Sequence, residues 1–353
     1  MTNTFTQSPL FGNFFADPKT AQAFSAEAFL AGMIAFETAW TQTLIDCGVV
    51  DEVTGKQAIE VLGSTRIDLD KMGAGNVDGL PVPELIRQLR KGQPKEVAVA
   101  IHTGATSQDV IDTVLMMTCR AEMQRFISAI DRCLKRLKDL DTQFGDQALM
   151  GRTRMQAALP IKVRNRLNGW IAPLTTCRTK LDDLVASVCP LQFGGPVGLR
   201  QIDGVEGDQF AARLAQRLGM TNAACWHTDR TPVLTIGHWL TVLTGALGKI
   251  GQDITLMAQQ GIDEITIAGG GGSSAMPHKK NPVRAEALVT LARFNAAQNG
   301  LLGQAMIHEQ ERSGMAWALE WLTLPAMFEA SSAALVNAEI LLQSITSIGS
   351  GST

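Results

Sequence analysis

The chain has 353 residues, which allows a sizeable core and more than one domain, and its formal net charge at pH 7 is −3. This mildly acidic composition argues against nucleic-acid binding, which needs a basic face. Charged residues make up 18% of the chain and hydrophobic residues 45%, so we expect much surface to be buried, partly against copies of the same chain.

The first third of the chain predicts short helices. Glycines and prolines interrupt it repeatedly between residues 73 and 94, and these residue types mark turns. We therefore predict a small helical domain over residues 1–105 and a second domain, a helical bundle, over residues 106–353. The closing residues 349–353 read Gly-Ser-Gly-Ser-Thr and are expected to be disordered.

Long amphipathic helices dominate the second domain. Apolar residues recur at steps of three and four, which predicts helices over 111–140, 161–188, 233–257, 282–305 and 317–345. A helix of about 28 residues is roughly 42 Å long, so several of them favour an elongated all-α bundle. Strand patterns are sparse, and the alternation of strands and helices typical of an α/β fold is missing.

The sequence also predicts a cytoplasmic protein. We find no uncharged apolar run of 18 residues and no basic-then-apolar start, so neither a membrane span nor a signal peptide is predicted. The cysteines form no C-x-x-C pair, so we interpret them as reduced core residues of a reducing compartment. They stand at positions 47, 119, 133, 177, 189 and 225.

The first motif that interrupts the helices is His102–Asp109, with the sequence HTGATSQD. Thr106 and Asp109 have the spacing of a capping box, ahead of a helix predicted to begin near Val110. Free backbone N–H groups at that helix start, together with the hydroxyls of Thr106 and Ser107, would bind a carboxylate. The alternative is an ordinary helix cap without a ligand.

The second motif is Gly151–Pro160, in which Arg152 and Arg154 flank a threonine and Gln156 follows. Guanidinium groups bind carboxylates through paired hydrogen bonds, so this segment is a second candidate for anion binding. The alternative is a pair of solvated surface arginines.

The third motif covers residues 269–282, GGGGSSAMPHKKNP. Four glycines predict a mobile loop, and the serines, histidine and lysines after them suit anion chemistry. Asn281 and Pro282 are predicted to be the N-cap and first residue of the next helix. A phosphate loop is excluded because GxxxxGK[ST] is not matched, and a plain linker is the remaining alternative.

A fourth segment, His308–Gly314, concentrates charge inside an apolar region. It lacks the H-E-x-x-H spacing, so it predicts no zinc site, and a solvated helix face is its plainer interpretation. His227 and His238 have no partner at metal-ligand spacing, and we interpret both as structural. The sequence therefore predicts no metal and no cofactor.

The third motif resembles the signature of the fumarase/aspartase superfamily, G-S-S-x-M-P-x-K-x-N, which Gly272–Asn281 match throughout. The first and second motifs resemble the two other characteristic regions of that superfamily and stand in the same order. The resemblance covers roughly residues 5–345. It implies an all-α fold, a homotetramer, and active sites that each draw the three regions from three subunits. It also implies addition or elimination at a fumarate-like double bond without metal.

Within the superfamily, the chain is most similar to the lactonizing enzymes that act on 3-carboxy-cis,cis-muconate. Arg312, Gly314, Trp317, Glu320 and Trp321 follow their Glu-Arg…Gly…Trp…Glu-Trp pattern. Arg154 stands where members that eliminate a leaving group usually carry a histidine. Arginine stays protonated in proteins, so it cannot transfer a proton to a leaving group, whereas closure of a lactone needs no such transfer.

The resemblance implies a role for each candidate site residue. Ser273 would transfer the proton, Lys279 and Asn281 would stabilise the aci-carboxylate intermediate, and His102 would bind substrate or act as an acid. The other substrate-binding candidates are Thr106, Ser107, Arg152, Arg154, Gln156, Ser274, Met276 and Arg312. The expected partners are a small polycarboxylate and further copies of the chain, with neither nucleic acid nor membrane.

Several alternatives stay open at this point. A fumarate-releasing lyase of the adenylosuccinate or argininosuccinate type and a non-catalytic protein on the same fold are the rival functions. A sulfonate in place of one muconate carboxylate, the stereochemistry of addition and the final proton donor are equally undecided. The chain is also shorter than many relatives, and we expect it to lack their small C-terminal helical domain.

Overall fold

The computed structural model describes residues 8, 10–269, 271–272, 276 and 280–349. The helices are α1 (Gly12–Phe15), α2 (Pro18–Ala23), α3 (Ala26–Asp46), α4 (Glu52–Ser64), α5 (Leu69–Ala74), α6 (Pro81–Arg90), α7 (Lys95–Ala100), α8 (Ser107–Phe144), α9 (Val163–Ser187), α10 (Gly207–Leu218), α11 (Thr231–Met257), α12 (Val283–Gln304) and α13 (Met315–Ser344). The strands are β1 (Ala148–Thr153), β2 (Gln156–Lys162), β3 (Ile265–Ile267), β4 (Gly271–Gly272), β5 (Lys280–Asn281) and β6 (Ile345–Ile348). The predicted all-α fold is confirmed, because the strands in the described residues form three short antiparallel pairs and the rest of the regular structure is helical.

The N-terminal helices begin where short polar side chains can cap them. Asp17, Ser25, Asp51 and Asp68 each accept a hydrogen bond from a backbone N–H in the first turn of α2, α3, α4 and α5. Helix α3 then packs on α4, α8 and α10, so the short helices share a core with the bundle. The division into two domains at residue 105, which falls in the loop between α7 and α8, stays a prediction.

Five long helices, α8, α9, α11, α12 and α13, form the bundle. Buried tryptophans tie them together: Trp170 of α9 donates to Asp253 of α11 at 2.7 Å, and Trp239 of α11 donates to the carbonyl of Cys177 at 3.1 Å. The observed bounds agree with the five predicted helices to within four residues. Helices α9 and α13 continue through Pro173 and Pro325, because packing on both sides outweighs the local cost of proline.

Helix α11 is the one helix in the described part of the chain that is long and apolar enough to cross a membrane. Most of its apolar window, 61%, is buried inside the protein, and it packs against α9, α12 and α13. We therefore identify it as the core helix of the bundle. All six cysteines are free thiols; four are buried, and Cys47 and Cys225 are partly exposed.

The bundle has two distinct ends. At one of them, which we call the Asp109 end, the start of α8 meets the start of α11 and the loop between α12 and α13, through Asp112–Arg230 and Gln108–Arg312 contacts. At the other, the hairpin end, α8 leads into β1 and β2. Helix α8 has 38 residues and is about 57 Å long, so it keeps the two ends far apart.

The sequence analysis missed the hairpin of β1 and β2. Its two-residue turn consists of Arg154 and Met155, which have φ of 50° and 67° and connect Thr153 to its partner Gln156. Such turns usually carry asparagine or glycine, so the residues that normally announce a hairpin were absent.

The expected N-cap at Asn281 was wrong. Asn281 lies in β5 and pairs with Gly271, so these two residues of the third motif lie side by side. Helix α12 begins at Val283, after Pro282. The expected disorder at 349–353 concerns residues that, apart from Gly349, lie outside the described part of the chain.

Two glycines of α11 offer a matched test of the bundle's packing. A β-carbon at Gly251 would lie 2.4 Å from the carbonyl oxygen of Ala285 in α12, whereas one at Gly245 would meet nothing within 4 Å. We expect Gly251→Ala to lower the free energy of unfolding by roughly 1–3 kcal/mol, because two helix backbones must separate. Gly245→Ala should raise it by about 0.5–1 kcal/mol, because alanine favours the helix.

Urea denaturation at fixed protein concentration measures both changes. Equal effects of the two substitutions would contradict the close approach of α11 and α12.

Candidate active site

Asp109 organises the Asp109 end of the bundle. It is fully buried, and its carboxylate accepts from the Thr106 N–H at 3.0 Å, which completes the predicted capping box of α8. The same carboxylate accepts from the backbone N–H groups of Gly194 at 2.7 Å and Gly195 at 3.0 Å. One side chain therefore fixes both the helix start and the loop that faces it, while Thr106 and Ser107 remain partly exposed beside it.

His227 lies directly behind this cap. Its Nε2 is 3.1 Å from Asp109, and the ring is buried, which agrees with the structural role expected for it. Burial disfavours the charged ring, but hydrogen bonds with Asp109 and Cys225 outweigh that cost and raise the pKa of His227 to about 9. A β-carbon at Gly194 would lie 2.6 Å from the His227 ring, so a larger residue there would displace it.

His102 occupies an unusual position before the cap. Its backbone φ is 64°, in the left-handed region, and its Nδ1 is 2.6 Å from Oε1 of the buried Glu37 on α3. The next residue, Thr103, accepts through its carbonyl from the indole of Trp40 at 2.9 Å. Helix α3 therefore sets the position of the His102 ring, a contribution that the sequence spacing alone did not reveal.

Arg312 contacts the first motif through Gln108, a contact that the sequence analysis did not predict. Its Nε donates to the side chain of Gln108 at 2.9 Å, and its Nη2 donates to the Pro196 carbonyl at 3.3 Å. Gln108 is fully buried and donates in turn to Asp112 and to the backbone carbonyl of His227. The plainer interpretation of this segment, a solvated helix face, was wrong, because residues 305–314 form the loop between α12 and α13.

A buried ionic cluster underlies this arrangement. Arg230 is 1% exposed and bridges two fully buried carboxylates, Asp112 at 2.8 Å and Glu320 at 2.6 Å. Trp317 donates to Asp112 at 2.8 Å. Burial alone would raise the pKa of Asp112, but the Arg230 guanidinium keeps it below its ordinary value. Trp317 and Glu320, part of the pattern shared with the lactonizing enzymes, thus support the helices rather than face an open site.

The second motif lies at the hairpin end. Arg152 pairs with the buried carboxylate of Glu264, just before β3. Arg154 and Gln156 lie at the turn and the start of β2 and are exposed, as is Met155 at 70%. These side chains extend away from the bundle, about the length of α8 from Thr106.

The third motif is described only in part. Ser273, Ser274 and Lys279 lie outside the described residues, so their predicted roles rest on the sequence alone. Met276 is 43% exposed, and Asn281 lies in β5. Since β4 and β5 follow α11, this motif begins and ends at the hairpin end, the same end as Arg152.

Within one chain, the candidates therefore form two groups. His102, Thr106, Ser107 and Arg312 lie at the Asp109 end, while the second motif and the described part of the third lie at the hairpin end. No group of three or more metal-ligating side chains was found among the described residues.

A family model described as a lyase matches residues 16–295, most of the chain. The chain belongs to this lyase family. The resemblance to the fumarase/aspartase superfamily is thereby confirmed.

The relatives of the chain include enzymes of several kinds. A 3-carboxy-cis,cis-muconate cycloisomerase of Acinetobacter baylyi is 31% identical, over 96% of this chain and 80% of the relative. A nitrosuccinate lyase of Streptomyces davaonensis is 33% identical, over 92% of this chain and 72% of the relative. Among solved structures, the 3-carboxy-cis,cis-muconate lactonizing enzyme of Pseudomonas putida has a TM-score of 0.89 at 31% identity, over 96% of this chain and 77% of that one.

Sequence reasoning missed several residues that support the site of this lyase-family member. Glu37, Asp112 and Arg230 lie outside the motifs, on α3, on α8 and at the start of α11, and meet their partners only in the fold. Gln108 lies within the first motif, but the sequence analysis gave it no role. Arg230 stands in the polar segment HTDRTP, so the sequence gave no signal that this arginine would be buried.

The His227–Asp109 pair predicts a pH dependence of stability. The pKa of His227 in the folded protein, about 9, lies above the ordinary histidine value of 6.5, so the pair's contribution is complete below pH 6.5 and is lost as the pH rises through 9. The loss should be on the order of 3 kcal/mol. We expect His227→Gln to remove this part of the pH dependence, as measured by urea denaturation between pH 6 and 10.

Asp109→Asn provides the second variant, because it removes the other partner. If the stability difference between wild type and His227→Gln stayed constant over this pH range, the pairing would be refuted.

Proposed function

We propose that the chain is a 3-carboxy-cis,cis-muconate cycloisomerase of aromatic degradation, which closes the muconate to 4-carboxymuconolactone. The observation that carries this proposal is the similarity to several cycloisomerases at 30–34% identity over at least 93% of the chain. The anion-binding features of the Asp109 end support it. There, a capped helix start with two partly exposed hydroxyls adjoins a guanidinium that Gln108 holds in place.

The substrate carries three carboxylates, so binding requires several donors with fixed geometry. At the Asp109 end, free N–H groups of the first turn of α8 and the hydroxyls of Thr106 and Ser107 would bind one carboxylate. Arg312 would bind another, because its guanidinium is anchored through Nε and Nη2 and keeps further N–H groups for a ligand. Arg152, Arg154 and Gln156 would supply the remaining contacts from the hairpin end of a different subunit.

The reaction forms one C–O bond and one C–H bond. A carboxylate oxygen of the substrate adds to a carbon of the diene, and the electron pair moves toward the carboxylate of the adjacent carbon. Lys279 and Asn281 would stabilise this aci-carboxylate, and Ser273 would deliver the proton to carbon. Since a carboxylate becomes an ester, one proton is taken up from solvent in each turnover.

Arg154 favours this reaction over elimination. A leaving group such as ammonia needs a proton from an acid, and a guanidinium stays protonated. The nucleophile in lactonisation is part of the substrate, so Arg154 has only to bind a carboxylate. The similarity to a nitrosuccinate lyase nevertheless makes elimination from a substituted succinate the second candidate.

We further propose a cytoplasmic homotetramer whose sites are shared between subunits. The two groups of candidate residues lie at opposite ends of α8, a helix about 57 Å long, which favours contributions from different chains to one small substrate. Copies packed side by side in opposite directions would place the Asp109 end of one next to the hairpin end of another.

The first test is an ultraviolet assay of 3-carboxy-cis,cis-muconate with the purified protein. We expect the diene absorbance to disappear and NMR to show the lactone, whereas Ser273→Ala should lose most turnover and keep substrate binding. Unchanged muconate in the presence of a folded oligomer would contradict the proposal. Release of fumarate from a substituted succinate would then establish the second candidate.

Shared sites can be tested by mixing two inactive variants. Arg312→Ala removes a guanidinium from the Asp109 end, and Arg154→Ala removes one from the hairpin end. Each alone should lower kcat/KM by on the order of a hundredfold, as expected for loss of a charged contact. Co-refolded one to one, they should regain about a quarter of wild-type activity, because random assembly leaves that share of sites with both arginines.

The control is each variant refolded alone under the same conditions. Activity of the mixture no higher than the mean of the two parents would show that both arginines act within a single chain, or that one of them is dispensable.

A further inference from the structure

His102 and Glu37 form a pair that the proposed mechanism does not yet explain. Glu37 lies on α3 and is fully buried, and its Oε1 is 2.6 Å from Nδ1 of His102. Its second oxygen, Oε2, is also buried and has no hydrogen-bond partner in the part of the chain that the structure describes. A buried carboxylate normally satisfies both oxygens, so Glu37 depends on this single contact.

The backbone at His102 is held in a conformation that residues with a β-carbon rarely adopt. Its φ of 64° lies in the left-handed region, which carries an energetic cost for histidine. Neighbouring contacts hold the segment in place: Arg90 donates to the Ile101 carbonyl at 2.5 Å, and Trp40 donates to the Thr103 carbonyl at 2.9 Å. Such strain persists where the surroundings fix a residue, and it is often found at functional sites.

The pair leaves one nitrogen of the ring for a ligand. Because Nδ1 faces Glu37, Nε2 is the nitrogen that remains, and the His102 side chain is 15% exposed rather than buried. A carboxylate that binds one imidazole nitrogen sets the orientation and the protonation pattern of the other.

We propose that Glu37 is a positioning residue of the active site. It orients His102 through Nδ1, so that Nε2 contacts a carboxylate of the substrate at the start of α8. His102 then touches the substrate, and Glu37 acts through it. This inference rests on the proposed function for the identity of the substrate, but the pairing itself does not.

The conformation of His102 makes a direct test possible. Glycine adopts a φ of 64° readily, so His102→Gly keeps the backbone and opens a space for free imidazole beside Glu37. We expect this variant to lose roughly tenfold to a hundredfold in kcat/KM, mainly through KM, because the lost contact is with the bound carboxylate. Added imidazole should raise kcat/KM of this variant at least about tenfold, and the effect should saturate as the imidazole concentration rises.

Two controls separate positioning from mere space filling. In the double variant His102→Gly/Glu37→Gln, imidazole should restore little, because the carboxylate that holds it is gone. 1-Methylimidazole should fail in the single variant, because a methyl group blocks one of its two nitrogens, so it cannot contact Glu37 and the substrate together. Equal rescue with and without Glu37, or equal rescue by both compounds, would overturn the proposal.

A second measurement keeps the inference testable if His102→Gly folds poorly or the muconate is not the substrate. Glu37→Gln alone should raise KM about tenfold and change kcat less than about threefold, and wild-type kinetics in this variant would refute the role of Glu37. Imidazole should also raise the Tm of His102→Gly but not of the double variant, a result that needs no substrate. Wild-type inactivity on the muconate together with that Tm shift would refute the proposed function and support the pairing.

Discussion

The arrangement of the Asp109 end depends on one buried carboxylate that holds three segments together. Asp109 caps α8, accepts from two consecutive glycine N–H groups of the facing loop, and pairs with His227. A carboxylate in this environment stabilises the fold only because every neighbour supplies a donor. Loss of any one of these contacts would leave the buried carboxylate with one donor fewer, which typically costs about 1–3 kcal/mol. The position of the loop that contains Gly194 and Gly195 therefore depends on the residue that caps α8.

A second group of buried charges, again satisfied by donors, lies one turn further along α8. Asp112, Glu320 and Arg230 place two negative charges and one positive charge in the interior, and Trp317 adds a neutral donor to Asp112. Gln108 connects this cluster to Arg312, since its amide donates inward and its carbonyl accepts from the guanidinium. A surface arginine alone would sample many rotamers, and this chain of contacts reduces that freedom before a ligand arrives.

The sequence predicted the helices well because their signals are local and repeated. Periodic apolar residues located α8 to within a few residues of its ends, and the Thr106–Asp109 spacing identified its cap. The hairpin was missed because Arg154 and Met155 lack the usual turn residues, and Asn281 was misplaced because its strand pairing is a contact across the loop. Glu37 and Arg230 could not be predicted, because each acquires its role from a partner more than 60 residues away.

The hairpin of β1 and β2 bears on both the stability and the proposed activity of the protein. Two-stranded hairpins are marginally stable in isolation, and this one exposes Leu159 at 72% and Met155 at 70%. Apolar side chains exposed beside Arg154 are expected to be covered by another surface. In the proposed assembly, the surface that covers them also brings Arg154 to the Asp109 end of a neighbouring subunit. Burial of the hairpin and completion of the active site would then be one event, so that a dissociated subunit would lack both.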